Sequence, residues 1–354
     1  AYKQYTYDGD DDRGTWNGSQ GGLGAPESDM AVPMGDDDDG GNSHSTTNVQ
    51  ESGVDEADFV KNDGGHIYVL NGNELAIIDA WPAEEMNEVS RLLIEGYTEE
   101  LYLDGDTIAV LSNLYDEVAP MGGREANVRD HVTKVTVIDI TDRADPQVTR
   151  EVYVEGSLYD TRRVGERLYL ITNRDLADNN IQDDVWGQNL DDDEVKERVE
   201  ARPLEDWMPS RAINTRHGGE WTLTEDSVCG CTDIYRPARD GGLTMMSVLA
   251  LDFTDPESEV TGTSIIAGTG EVYASPESLY LAVYEPDSGP FGGSPDSAGT
   301  RIHKFDLEGG PAHPVYQASG RVDGWTHDSF DMDEADGTFR IVTKNAASQY
   351  HRFL

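Results

Sequence analysis

The densest group of residues able to do chemistry lies near the C-terminus, Asp331-Met332-Asp333-Glu334-Ala335-Asp336-Gly337. Closely spaced aspartates beside a glycine offer the carboxylate oxygens of which calcium takes about six to eight. Asp331, Asp333 and Asp336 are therefore the expected ligands of a calcium ion, with a solvated hairpin loop as the alternative. Asp8-Gly9-Asp10-Asp11-Asp12 and Asp104-Gly105-Asp106 are lesser versions of the same pattern. None has the spacing of an EF-hand, which requires Gly at its sixth position and Glu at its twelfth. The two cysteines stand as Cys229-Gly230-Cys231. Extended backbone sets their Cα atoms roughly 6.6 Å apart, at the upper edge for a disulfide, and a turn at Gly230 would shorten that. A local disulfide between Cys229 and Cys231, a free thiol pair, or a metal site shared with a distant histidine all remain open.

Catalytic patterns are missing. The chain holds no Gly-x-Ser-x-Gly, His-Glu-x-x-His, P-loop or dinucleotide fingerprint. Its eight histidines are scattered, none pairing with another at ligand spacing, and His66 and His303 read as ordinary strand residues. The carboxylates are too many to single out an acid–base pair, which needs two groups in unlike environments. Gly324-Trp325-Thr326-His327-Asp328 joins an aromatic ring, an imidazole and a carboxylate. Such a set suits either the lining of a binding mouth or, through Trp325, packing between sheets.

Charge narrows the choice of partner. Asp and Glu number 70 against 26 Lys and Arg, for a net charge of −44. Phosphate backbones and anionic membrane surfaces would be repelled, so nucleic acid is excluded as a partner. Salt-rich surroundings, a calcium-rich exterior or cationic partners fit the charge. Concentrated salt screens the self-repulsion that would strain the fold in dilute buffer. No apolar run reaches membrane-spanning length, and the chain begins at Ala1, as a processed secreted protein would.

The elements that must carry these residues are short strands. Residues 1–45 are acidic and Gly-rich, with Asp8–Asp12 and Asp36–Asp39, and read as a disordered tail. Two kinds of strand recur after it. One is led by Gly or Glu, as in Gly65–Leu70, Gly165–Ile171 and Glu277–Val283, with a weaker copy at Gly105–Leu111. The other ends apolar-Asp-apolar or in Asp, as in Leu75–Asp79, Val135–Ile140, Val248–Phe253 and Ile302–Leu307. Two of the latter run into an Asp-Pro turn, at Asp145-Pro146 and Asp255-Pro256. The repeated Asp reads as a turn former that accepts hydrogen bonds from nearby amides. Starts of the Asp-ended strands lie about 60, 113 and 54 residues apart. The wide middle gap points to an insertion at about 174–243, polar and loop-like, with a helix-compatible stretch from Asp191 to Asp206. A strand quartet repeated at this length predicts an all-β chain, a β-propeller of several four-stranded antiparallel blades spanning residues 46–354.

Specific segments agree. Thr46-Thr47-Asn48-Val49-Gln50 followed by Gly53-Val54-Asp55-Glu56-Ala57-Asp58-Phe59-Val60-Lys61-Asn62-Asp63-Gly64 strongly resembles the opening of the secreted β-propeller domain family of bacteria and archaea, distantly related to WD40 repeats. Arg162–Gly165, Cys231–Tyr235, Tyr273–Ser275, Gly324–Phe330, Asp333-Glu334 and Arg340–Thr343 continue the resemblance in order. It implies a propeller and a secreted location, but no activity and no catalytic residues. The family domain continues past the segment matching Arg340–Thr343, whereas this chain stops at Leu354. The expectation is an incomplete propeller, its C-terminal half missing or its remaining blades supplied by a second chain. Functionally, the sequence predicts a non-catalytic extracellular scaffold that binds a protein or glycan. A hydrolase or lyase acting on an extracellular polymer, and a subunit of a surface assembly, are the rivals.

Overall fold

The computed structural model describes residues 49–115, 120, 131–176, 190–237, 242–285, 298–307, 314–345 and 348–353. Contacts divide the chain into residues 1–41 and 42–354. The predicted tail at 1–45, with its Asp8–Asp12 and Asp36–Asp39 clusters, lies outside the described residues.

Among the described residues five sheets, antiparallel but for one short strand, follow one another along the second unit. After a short β1 (Val54–Asp55), the first sheet is β2 (Val60–Asn62), β3 (His66–Asn71), β4 (Glu74–Asp79) and β5 (Asn87–Leu93). The second is β6 (Tyr97–Asp104), β7 (Thr107–Leu114), β8 (Val132–Asp139) and β9 (Gln147–Glu155). The third begins with β10 (Ser157–Val164) and β11 (Arg167–Asp175). It is then interrupted by α1 (Asp192–Ala201), β12 (Ser210–His217), β13 (Glu220–Ser227) and β14 (Ile234–Tyr235), and finishes with β15 (Thr244–Asp252) and β16 (Thr261–Ile266). The fourth is β17 (Gly270–Ala274), β18 (Ser278–Glu285), β19 (Gly299–Asp306) and β20 (Val315–Asp323). A three-stranded fifth sheet holds β21 (Met332–Ala335), β22 (Thr338–Asn345) and β23 (Ser348–Phe353).

The two recurrent sequence types are the two middle strands of each four-stranded set, the most apolar and the most enclosed. In the second, third and fourth sheets both faces of these strands are covered, because neighbouring sheets stack on each other. Leu101, Ile108 and Val110 of the second sheet pack on Tyr68, Leu75 and Ile77 of the first. Their alternate neighbours Tyr102, Ala109 and Leu111 pack on Leu168, Leu170 and Leu249 of the third. Tyr169, Ile171 and Val248 in turn meet Leu279, Leu281 and Phe305 of the fourth, whose other face carries Tyr280 against Ile341 of the fifth. The period-2 alternation of side chains thus feeds two cores from one strand, and each buried Leu or Ile contributes about 1.5–3 kcal/mol. Of the Asp residues ending the third strands, Asp139 and Asp252 act locally, whereas Asp306 accepts from Gln317 Nε2 of the next strand at 3.1 Å. Asp139 accepts from Thr141 N at 2.8 Å, and Asp252 from Thr254 N at 2.8 Å and Asp255 N at 3.2 Å.

The interruption of the third sheet contains more than polar loop and helix. Its hairpin β12–β13 adds to the outer edge of the second sheet through β9, extending it to six strands. Strand β14 pairs parallel with β16 at the outer edge of the third. Helix α1 starts on a capping box, Asp191 accepting from Asp193 N and Glu194 N while Glu194 accepts from Asp191 N.

The leading residues connect all five sheets. Gln50 Nε2 donates to Ser329 O at 2.8 Å, beside the fifth sheet. Glu51 accepts from the Tyr273 hydroxyl of the fourth at 2.8 Å. Val54 and Asp55 pair with Val164 and Arg163 of the third. Asp58 exchanges two backbone hydrogen bonds with Leu101 of the second, and the chain then enters β2 of the first. Lys61 Nζ fastens the passage, reaching Asp55 Oδ1 at 2.9 Å and Glu56 O at 2.7 Å.

Candidate functional site

Each sheet's first strand presents polar residues next to the leading segment, and there carboxylates crowd. On β10, Asp160 pairs with Arg162, whose Nη1 also donates to Thr161 O at 2.6 Å and whose Nη2 reaches Val272 O of β17 at 3.3 Å. The Thr161 hydroxyl donates to Glu100 Oε1 of β6 and lies 2.9 Å from the Tyr102 hydroxyl. Glu271 stands at the start of β17, and Asp328 and His327 precede β21, their side chains joined at 2.8 Å.

These groups titrate unlike free carboxyls. Burial pushes Glu100 up to about 7, against the pull of the Thr161 hydroxyl and with a further push from Asp160. Burial likewise raises Asp160, opposed by Arg162 and reinforced by Glu56. Glu271 is raised by burial first, then by Asp328 and Asp160. His327 and Asp328 move apart, the imidazole up and the carboxyl down, through their shared hydrogen bond. Carboxyls raised by burial and by neighbouring negative charge lower their energy by taking up a proton or a cationic group.

Aromatic side chains flank the same strand starts. Phe59 before β2, Tyr97 opening β6, Tyr159 on β10 and Phe330 before β21 are 64%, 66%, 37% and 77% exposed. Tyr97 lies tilted against Tyr115 at 5.5 Å, and Tyr115 meets His131 edge-on at 4.9 Å. Trp325 lies edge-on to Tyr284 at 6.4 Å and exchanges backbone hydrogen bonds with Lys344. Tyr159 donates its hydroxyl to Gly270 O at 2.6 Å beside Glu271, and Phe330 N donates to Asp328 Oδ1 at 2.9 Å; exposed rings beside carboxylates mark a surface shaped for contact.

The expected calcium ligands are not brought together. Asp331 Oδ2 accepts from His327 N at 2.8 Å, Asp333 pairs with Arg340, and Asp336 occupies the left-handed turn position, φ 54°, between β21 and β22. Among the described residues no three His, Cys, Asp or Glu side chains converge as a metal site. The lesser candidates differ: Asp104 and Asp106 are ion-paired to Arg163 and Arg143, while Asp8–Asp12 lie outside the described residues. The Cys229–Cys231 disulfide is not formed, and both thiols are free. Cys229 is buried with its Sγ 3.3 Å from Ser264 Oγ, whereas exposed Cys231 turns to Met208 Sδ at 3.7 Å, so the two side chains diverge. His303 is a buried strand residue with its Nδ1 3.3 Å from the Tyr316 hydroxyl, and burial pushes its imidazole down to about 4.

Glu100, Asp160 and Glu271 went unnoticed in the sequence, where each is one carboxylate among 70. Only their place on first strands sets them apart. His327 and Asp328, legible in the sequence as part of Gly324–Asp328, reach this group beside Glu271.

A family model described as a beta propeller domain matches residues 44–352. An uncharacterized protein of Methanocaldococcus jannaschii is 28% identical over 142 residues, which make up 40% of this chain and 19% of that protein's length. A solved structure of a hypothetical selenium-binding protein from Sulfolobus tokodaii is similar at 10% identity over 73% of this chain and 75% of its own, with a TM-score of 0.20. The N-terminal domain of Nup159 is similar at 12% identity over 82% and 73% respectively, also with a TM-score of 0.20.

Proposed function

From the premise that this chain belongs to the beta propeller domain family, we propose that it is a non-catalytic binding scaffold of the cell exterior. Its recognition surface is the set of first-strand starts. One observation carries the reading: exposed Tyr159 and Phe330 lie beside the carboxyls Asp160, Glu271 and Asp328. Aromatic faces attract cations, each contact contributing about 0.5–2 kcal/mol, and neighbouring carboxylates supply the opposite charge. A segment of an extracellular protein bearing Lys or Arg therefore suits the surface best. A glycan would use the same rings for stacking but would leave the surplus of negative charge uncompensated. A net charge of −44 favours salt-rich surroundings, where the chain stays soluble and screened. Among the described residues no helix is long and apolar enough to cross a membrane.

The test is titration with a basic peptide and with a neutral oligosaccharide in matched salt. The peptide should bind, and Phe330→Ala combined with Glu271→Gln should weaken it at least about tenfold, at unchanged melting temperature. Saturable oligosaccharide binding without peptide binding would reassign the surface to glycans. No binding of either would remove the reading.

A further inference from the structure

Among the described residues, the outer edge of the second sheet differs from every other outer edge. The outermost strands β5, β20 and β23 each break register against the strand inside them, at Ile77/Ile78, Lys304/Phe305 and Thr343/Asn345. Strand β14, outermost in the third sheet, is only Ile234-Tyr235. Strand β9 carries a break too, at Val137/Ile138 of its neighbour, but hairpin β12–β13 covers it. Bulges, short strands, prolines and lysines are the usual guards of a sheet edge. Strand β13 has none of them. It pairs with β12 without interruption from Ser227 opposite Ser210 to Glu220 opposite His217, and it contains no Lys, Arg or Pro.

Register decides which of its backbone groups face outward. Gly218 and Gly219, at φ 58° and 93°, form the two-residue turn that closes on a hydrogen-bonded pair, here His217 and Glu220. Val228 N donates to Pro209 O at 2.8 Å in the same register. Even-numbered residues of β13 therefore bond to β12, and the N–H and C=O groups of Trp221, Leu223 and Glu225 point away from the sheet. Their side chains share one face, on which Trp221 and Leu223 are each 43% exposed. Unused main-chain donors and acceptors give a strand-addition site its affinity, and alternate side chains give it specificity.

We propose that β13 takes up an extended segment of another protein as an added antiparallel strand of the second sheet. The segment sets branched apolar residues opposite Trp221 and Leu223, Thr opposite Thr222 and Thr224, and Lys or Arg at its ends. Cross-strand apolar, Thr–Thr and opposite-charge pairs each favour that register. Charge selects the ends: Asp226 faces Arg211 at 3.7 Å, whereas Glu220 and Glu225 are exposed and hold no ion pair among the described residues. A second copy of this chain fits worse, because it would lay the same carboxylates along one another between molecules of net charge −44. This edge is separate from the surface at the first-strand starts, and binding at either does not require the other.

The probe is the labelled peptide Lys-Lys-Thr-Val-Thr-Val-Lys-Lys. Its control carries N-methyl groups on both valines, which removes the donors facing β13 and leaves charge and side chains as they were. In matched salt the plain peptide should bind the whole chain at least about tenfold more tightly than the control. It should also slow hydrogen exchange at the amides of Trp221, Leu223 and Glu225. Leu223→Pro removes an outward N–H and leaves the bonds to β12 in place, so it should weaken the plain peptide at least about fivefold. Where Leu223→Pro does not fold, Leu223→Lys serves, with a similar loss expected from a charge placed at the apolar contact. Equal binding of the two peptides would reduce the interaction to charge attraction and overturn the proposal. Binding without protection of these amides would put the peptide elsewhere and overturn it too. Protection of the same amides before any peptide is added, with a doubled mass in solution, would give the edge to a second copy and likewise overturn it.

Discussion

Replacing Glu100 by Gln removes a proton equilibrium that differs between the folded and unfolded chain. Burial lifts this carboxyl from 4.5 to about 7. The folded value stands above the unfolded one, so between those pH values the native state binds the extra proton. Stability from this group is complete below the unfolded value and lost as pH rises through 7. At about 1.4 kcal/mol per pH unit, the interval corresponds to about 3 kcal/mol. The side chain keeps some contact with solvent, which reduces the measurable effect to about 1–2 kcal/mol. Urea unfolding in fixed high sodium chloride, at pH 5 and pH 8, reads it directly. Wild type and Glu100→Gln should differ little at pH 5. By pH 8 the variant should be the more stable by about 1–2 kcal/mol, because the amide remains neutral where the carboxyl must ionise. Parallel stability curves for the two proteins across this range would refute the reasoning, since they would mean that Glu100 titrates alike in both states.

Two further outcomes are expected. Lys134, 2% exposed, holds Glu95 at 2.6 Å and Glu151 at 2.7 Å and lies 5.0 Å from the Tyr153 ring centroid, so Lys134→Met should cost about 3 kcal/mol in urea unfolding by stranding Glu151. In the native protein a thiol reagent should label Cys231 at once and Cys229 only after unfolding, since Cys229 is buried, its thiol pushed up by that burial, and Cys231 is exposed; absence of any reactive thiol would show the two joined.

Much of the fold was written in local patterns. Gly165–Ile171 and Val248–Phe253 stood out because a middle strand, covered on both faces, must be apolar almost throughout, and such runs survive inspection. The Asp at 139 and 252 announced turns for the same local reason, an oxygen placed to catch amides two residues on. Strands β12 and β13 gave no such signal. Ser210–His217 and Glu220–Ser227 are polar, since an outer hairpin has water on much of its surface, and pairing with β9 is a tertiary event. The carboxyl group around Asp160 was equally hidden. Its members come from β6, β10, β17 and the turn before β21, and sequence separation conceals what stacking brings together. Conversely, Asp331, Asp333 and Asp336 looked like ligands because they are adjacent in sequence. In a strand and turn, adjacency sends side chains to different partners.

The course of residues 50–58 has a kinetic consequence. Gln50 leaves the ribosome well before its partner Ser329, which lies 279 positions later. The leading residues must therefore wait while the intervening sheets assemble, and their docking belongs among the last events of folding. Long-range closures of this kind slow folding and leave strand edges open meanwhile. A nascent chain not yet extended to Ser329 would hold residues 50–58 unmoored, so that emergence of the fifth sheet, rather than completion of any earlier one, sets the moment at which these residues become protected from exchange and from proteases.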